Sequence, residues 1–337
     1  MSEKRLTLAD VARAAGVSKM TASRALRDAG DVSRENVEKV RQAAREIGYV
    51  GNLVAMSLSS QRTNLIGVVV PSASNIVFGE VLSGIADALW GSGFQPVIGV
   101  TDYDSEREAE IIRGMLSWRP AGLIVTGVDQ PEETRLLLHT AGLPVVQIMD
   151  MDGDPVDGSV GIAQFEAGAA MARALLAAGR RRFGHIACAR QRDSRAAKRF
   201  RGFAAALEAE GHLPVGSVVS EQPSSVEIGR DLTREFLERH GDVDCLYYAN
   251  DDIAVGGLFH CMAAGIDVPG NVLITGFNGL DIVKALPEPI ATTHTPRREI
   301  GYRAAELILK AAERRSPRVG AAIELPTRVD LGAAAAD

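Results

Sequence analysis

Residues 8–27 read LADVARAAGVSKMTASRALR. Leu8, Val11, Ala12 and Ala15 return at helical spacing, and Thr7 with Asp10 forms a capping-box pattern ahead of them. That pattern predicts a Thr7 hydroxyl accepting from the Asp10 amide. Gly16 ends this first helix and Ser18 caps a second, which runs to about Arg27. Ala12 and Gly16 are small where two helices must cross closely. On the second helix Ala22, Ala25 and Leu26 face inward, leaving Lys19, Met20, Ser23, Arg24 and Arg27 on the outer face. The stretch therefore predicts a helix-turn-helix whose outer face fits the major groove of a duplex. A surface helical hairpin would explain the crossing but not the basic outer face.

Working outward, Ser33 caps a third helix with an inward stripe of Val37, Val40, Ala44 and Ile47, closed by Gly48. Arg24 is the candidate for a guanine contact through its two-pronged donor geometry; Lys19 reads a base or binds phosphate, and Met20 offers apolar contact to a thymine methyl. Ser18, Thr21, Ser33 and Asn52 are candidates for phosphate contacts, which position without reading sequence. Thr7 and Ser23 complete the DNA-facing set. Residues 49–64 connect this head to the rest. Within them Asn52 starts a short helix, Leu53–Ser59, that cannot persist alone in water.

Charge divides along the same line. Residues 1–62 carry eleven Lys/Arg against seven Asp/Glu, a surplus of four positive charges, while the remainder is net −10. A basic head on an acidic body implies that only the head meets a polyanion. No apolar run reaches the length of a membrane span and no secretory h-region follows Lys4 and Arg5. Cys188, Cys245 and Cys261 lack paired spacing, which fits buried thiols in a reducing cytoplasm.

From Leu65 strand-like runs alternate with helical ones: LIGVVV then Val77–Trp90, PVIGV then Ser105–Trp118, GLIVTG then Glu132–Ala141. PVVQIM, SVGIA then Gln164–Ala178, HIACA then Ala196–Gly211, CLYYA then Asp252–Ala264, VLITGF and a last helix near Ile300–Arg314 continue the series. Such alternation predicts parallel sheets with helices on both faces. About ten strands suit two sheets of five or six better than one. The expected organisation is a helix-turn-helix domain over 1–50, a hinge over 51–62, and a two-lobed domain over 63–337.

The chain resembles the LacI family of bacterial regulators. The carriers are LADVARAAGVSKMTASR, then Val32-Ser33 through Gly48-Tyr49, then Asn52-Leu53-Val54-Ala55 up to Leu58, with IGVVVPS, GLIVTG, Ala249-Asn250-Asp251 and the ITGFNG run in the body. Within the family it is most similar to repressors of gluconate utilisation, through Gly16-Val17, Lys19-Met20-Thr21, the segment around Phe78, Met115–Trp118 and Pro144–Asp150. The resemblance implies a small all-α helix-turn-helix head and an α/β body of two doubly wound, periplasmic-binding-protein-like lobes. It implies a homodimer on a near-palindromic double-stranded operator, with hinge helices that pair on DNA and Leu58 wedging into the minor groove. Gly51 stands where the family carries Pro, so the hinge is expected to be looser.

Ligands of doubly wound sheets sit at the carboxyl ends of the strands. By matching positions, the resemblance places effector contacts on Phe78, Arg199, Asn250 and Asn278, with Ser72, Asn75, Gln147 and Asp150 as further candidates. Arg199 would grip a carboxylate bidentately. Asn278 replaces an Asp common in the family, which favours an anionic ligand, a sugar acid such as gluconate over a sugar. Read without the resemblance, Arg190, Arg192, Arg195 and Arg199 fit ordinary surface charges, and Asp251 fits a cap of the following helix. No phosphate loop, nucleophile elbow or metal-ligand spacing occurs, so no catalytic residue, metal or cofactor is expected. The alternative reading is a cytoplasmic sugar-binding protein, or a sugar-acting enzyme, with a DNA-binding head.

Overall fold

The computed structural model describes residues 6–26, 32–49, 63–188 and 193–332. The hinge at 51–62, with Asn52 and Leu58, lies outside the described residues, as do Arg27, Arg190 and Arg192. The chain divides into two compact units, one up to Thr63 and one from Asn64.

In the first unit, α1 (Leu8–Ala14), α2 (Lys19–Leu26) and α3 (Arg34–Glu46) close on a small core of Val11, Ala12, Ala22, Ala25, Val40 and Ala44. Gly16 adopts φ +65° in the turn between α1 and α2, a conformation that costs glycine little. Ser18 Oγ accepts from the Thr21 amide at 3.0 Å, and Ser33 Oγ accepts from the Asn36 amide at 3.4 Å. The Thr7–Asp10 capping box forms, with the Asp10 carboxylate reaching back to the Thr7 amide. The Thr7 amide and hydroxyl both donate to Asp10 Oδ2, at 2.9 and 2.7 Å, and the Asp10 amide goes to the Thr7 carbonyl. The hydroxyl proton is drawn to the charged acceptor, which holds Asp10 below the usual carboxylate range.

The second unit is an α/β body with two parallel sheets. The first joins β1 (Leu65–Val70), β2 (Gln95–Val100), β3 (Gly122–Thr126), β4 (Val145–Ile148), β5 (Gly158–Gly161) and β11 (Ala322–Glu324) in the order β11-β5-β4-β3-β1-β2. The second joins β6 (Phe183–Cys188), β7 (Gly216–Ser220), β8 (Cys245–Tyr248) and β9 (Leu273–Thr275) as β7-β6-β8-β9. The helices are α4 (Ile76–Leu89), α5 (Ser105–Ser117), α6 (Glu132–Thr140), α7 (Gln164–Ala177), α8 (Ser194–Ala209), α9 (Val226–Arg239), α10 (Asp251–Ala264), α11 (Asp281–Lys284) and α12 (Arg297–Glu313). A short antiparallel pair, β10 (Thr292–His294) with β12 (Arg328–Asp330), joins the β9 edge of the second sheet through the single bridges Thr275–Ala291 and Asn278–His294. The chain passes between the lobes after β5, after β10 and after β11.

The sheets have six and four strands, where two of five or six were expected. Strand β7 and helix α9 fall in a stretch where no element was foreseen. β7 is a half-buried edge strand, and α9 buries only a narrow stripe of Gly229, Leu232, Thr233 and Phe236 among charged neighbours. Strands β10, β11 and β12, three residues each, are too short to leave a period.

Glycine pairs set how helices pack, and two of them bear on the lobes' framework and on Arg199. A Cβ on Gly84 or Gly301 would strike the backbone of the facing helix, so α4 and α12 touch main chain to main chain. Gly168 of α7 faces the Arg199 carbonyl, and Gly202 of α8 faces the Phe165 carbonyl, in the same way. The second pair fixes the crossing that carries Arg199.

Candidate functional site

On the head, α2 presents its basic face away from the core. Lys19 and Arg24 are exposed, Met20 is 70% exposed, and Ser23 and Thr21 are half-buried. Thr7, Ser18 and Ser33 are exposed, and the Ser18 and Thr21 hydroxyls are 2.8 Å apart. The opposite face supplies Ala22 and Ala25, both fully buried. An exposed thioether between two cations on one helix face is costly in a hydrated surface and useful against base edges.

In the body, the loops at the carboxyl ends of the strands enclose a cavity of about 590 Å³ between the lobes. Ser72, Asn75, Phe78, Arg199, Asn250 and Asn278 all line it. Asn75 caps α4, its Oδ1 accepting from the Val77 amide at 3.0 Å. Phe78 is buried one turn further on, beneath Arg195, whose guanidinium lies 5.5 Å from the ring centre. Asn250, and not Asp251, caps α10: its Oδ1 accepts from the Ile253 amide at 3.1 Å, which leaves the amide nitrogen for a ligand. Asp251 turns inward instead, accepting from the Leu280 amide and the Thr292 hydroxyl at 2.7 Å each. Asn278 holds φ +116°, and its carbonyl accepts from Thr295 and Arg297 in the segment that crosses between lobes. Backbone strain of that kind persists only where surrounding bonds fix it.

Arg199 sits on the buried face of α8. One terminal nitrogen donates to Gln164 Oε1 at 2.7 Å and the other to the Ala249 carbonyl at 3.0 Å. The guanidinium stacks over Phe277 with 4.0 Å to the ring centre. Its Nε is shut off from solvent and has no partner. An arginine so held cannot offer both terminal nitrogens freely, so the two-pronged grip foreseen from sequence narrows to Nε and the remaining guanidinium hydrogens. Arg195, for which ordinary surface charge was one reading of the sequence, is a second buried arginine of the site. It is 8% exposed and pairs with Asp193 at 3.3 Å. Burial works against ionisation of Asp193, yet Arg195 and Arg199 hold it charged, below the usual range.

Gln147 and Asp150 do not reach this cavity. Gln147 is fully buried in β4, donating to Gln130 Oε1 at 2.6 Å and the Gly127 carbonyl at 3.2 Å, and accepting from the Val156 amide at 2.5 Å. Asp150 is also fully buried, bound by the Lys198 ammonium at 2.7 Å and by the Asp152 amide at 2.9 Å. The Gln147 side chain turns into the N-terminal lobe, whereas the Asp150 carboxylate is taken up by Lys198 of α8 across from it. Tyr103, Gln164, Asp193, Arg195 and Phe277 line the cavity as well. A signal for Arg195 was present: Arg195, Lys198, Arg199, Gly202 and Phe203 follow the i, i+3, i+4, i+7, i+8 spacing of one buried helix face.

Among the described residues no group of His, Cys, Asp and Glu is arranged to hold a metal, and no helix is long and apolar enough to cross a membrane.

Residues 7–52 match the family model described as bacterial regulatory proteins, lacI family. Residues 63–325 match the model of periplasmic binding proteins and sugar binding domain of LacI family. The chain is 40% identical to the HTH-type transcriptional regulator GntR of Pseudomonas aeruginosa over 306 residues, covering 90% of this chain and 89% of that one. A crystal structure of a LacI-family transcriptional regulator from Silicibacter pomeroyi is 46% identical, with a TM-score of 0.91 over 97% of this chain and 98% of the other. The structure of transcription regulator GntR from Chromobacterium violaceum is 35% identical, with a TM-score of 0.75 over 81% of this chain and all of the other.

Proposed function

The chain belongs to the LacI family of bacterial regulatory proteins, and from that premise we propose that a sugar acid such as gluconate, bound at Arg199, controls how a homodimer holds a near-palindromic operator. The protein is a DNA-binding transcription regulator and not an enzyme, as its relatives are. The relatives named GntR support the sugar-acid class.

The observation that carries the ligand class is the buried, partnerless Nε of Arg199 beside a second buried arginine. A buried donor without a partner costs roughly 1–3 kcal/mol, which a ligand acceptor recovers. A carboxylate recovers it best, because a charge-assisted bond is about twice as strong as a neutral one. The same cavity carries Ser72, Asn250, Asn278, Asp102 and Asp252, which suit the hydroxyls of a polyol chain. Phe78 and Phe277 supply apolar faces for its carbons. On the head, α2 enters the major groove with Arg24, Lys19 and Met20 toward the base edges, and Thr7, Ser18, Thr21, Ser23 and Ser33 flank the phosphates. Asn52 and Leu58 extend the contact through the hinge. The protein works in the cytoplasm, where operator and metabolite meet.

Ligand binding shifts the balance between two arrangements of the lobes, and only a ligand that distinguishes them changes operator affinity. A thermal-shift comparison of gluconate, glucose and adenine tests the class. Stabilisation by gluconate, with or without a separate response to glucose, supports the proposal. Stabilisation by glucose or adenine without gluconate refutes it.

A further inference from the structure

A second cavity of about 320 Å³ lies beside the first, between the ends of β1, β2 and β3 and the start of α8. Tyr103, Asp193 and Arg195 line both and form the wall between them. Beyond that wall stand Ser105, Glu108 and Asp129. Gln147, absent from the first cavity, backs this one through its bond to Gln130.

The chemistry of this annex differs from that of its neighbour. Glu108 Oε1 is closed to solvent and lacks a hydrogen-bond partner, although Gln130 and Arg195 both favour the charged carboxyl, so the annex holds one acceptor oxygen left unmatched. The other two carboxylates are already matched, Asp129 by Lys198 at 2.7 Å and Asp193 by Arg195 at 3.3 Å. An anion would face three carboxylates, and a cation would compete with two side chains already seated. A ligand that donates hydrogen bonds without carrying charge suits the lining. The volume falls at the small end of the range for ligand pockets. Burial pushes Glu108 up to about 7, consistent with an acid that waits for a donor.

We propose that this annex is a second ligand site, for a neutral polyhydroxyl molecule the size of one sugar ring, reading its hydroxyls through Glu108. The site spans both lobes, so its occupant bears on the same closure as the ligand at Arg199, through the shared Tyr103–Arg195 wall. The inference does not rest on the sugar-acid reading.

The test is calorimetric titration of the full-length protein with glucose, xylose and myo-inositol, alone and in saturating gluconate. At least one polyol is expected to bind, undisplaced by gluconate, and about tenfold more weakly to Glu108→Leu, the size of one lost buried hydrogen bond. Ser105→Tyr fills the annex from an exposed position, spares the buried carboxyl and is expected to abolish binding. Absence of binding by all three polyols overturns the proposal, as does displacement by gluconate or undiminished binding by Ser105→Tyr. Failure of gluconate to bind would sink the sugar-acid reading and leave the two variants to decide this one.

Discussion

Lys198 and Asp150 form an ion pair of 2.7 Å with both side chains buried, and it joins the two lobes of the body. Lys198 stands on α8 of the C-terminal lobe. Its ammonium also meets Asp129 Oδ2 at 2.7 Å and the Asp152 carbonyl at 2.8 Å, in the loops after β3 and β4 of the N-terminal lobe. Burial raises the Asp150 carboxyl, and the Lys198 bond only partly offsets it. Separating the lobes at this point therefore strands a buried charge.

Lys198→Met leaves Asp150 without its cation. Breaking a buried pair from one side costs about 3–5 kcal/mol. The melting temperature at neutral pH is expected to fall by several degrees, and to recover in the double variant Lys198→Met/Asp150→Asn. A single variant that melts with the wild type contradicts the clasp.

Gly168→Ala places a methyl against the Arg199 carbonyl. Overpacking of that kind costs about 1–3 kcal/mol. The variant is expected to fold with reduced stability and to lose ligand response, while Glu166→Gln on the exposed face of the same helix does not. An unchanged ligand affinity would show that the α7–α8 crossing does not position Arg199.

Asp251 is fully buried and its carboxyl is pushed up to about 6 by burial, against the bonds from Leu280 and Thr292. Its folded value lies above the unfolded one. The stability it contributes is full below about pH 4 and is lost as pH rises through about 6, up to about 3 kcal/mol. Asp251→Asn keeps one acceptor and removes the titration. Melting curves of the variant should lose less stability than the wild type between about pH 4 and 7. Parallel pH profiles would contradict the assignment.

Arg24→Ala is expected to lower operator affinity by about 1–3 kcal/mol and to relax specificity at one base pair per half-site. A uniform loss on all sequences, measured by anisotropy on a panel of single-base operator variants, would make Arg24 a phosphate contact instead.

The head was legible because each helix carries its own caps and period, and Thr7, Gly16, Ser18 and Ser33 mark the ends locally. The first sheet was legible for the same reason. The start of α8 was not. Its buried face is basic, so Arg195 and Arg199 fit ordinary surface charge until Gly202 and Phe203 are taken as the continuation of the same stripe. Gln147 and Asp150 show the opposite limit. Sequence places them at the end of β4, but which partner a buried amide or carboxylate finds depends on Gln130 and Lys198, far away in the chain. The wall shared by the two cavities is built from the loop after β2, the loop before α8 and α8 itself, a juxtaposition no local pattern records.

The most direct test of the account is operator binding by full-length wild type and Arg199→Ala across a gluconate titration, read by fluorescence anisotropy on the promoter fragment. The account predicts that gluconate shifts the operator affinity of the wild type at least tenfold, about 1.4 kcal/mol, and leaves the variant, equally tight without ligand, unmoved. Equal responses of the two proteins, or none from either while another metabolite releases the operator, would contradict it.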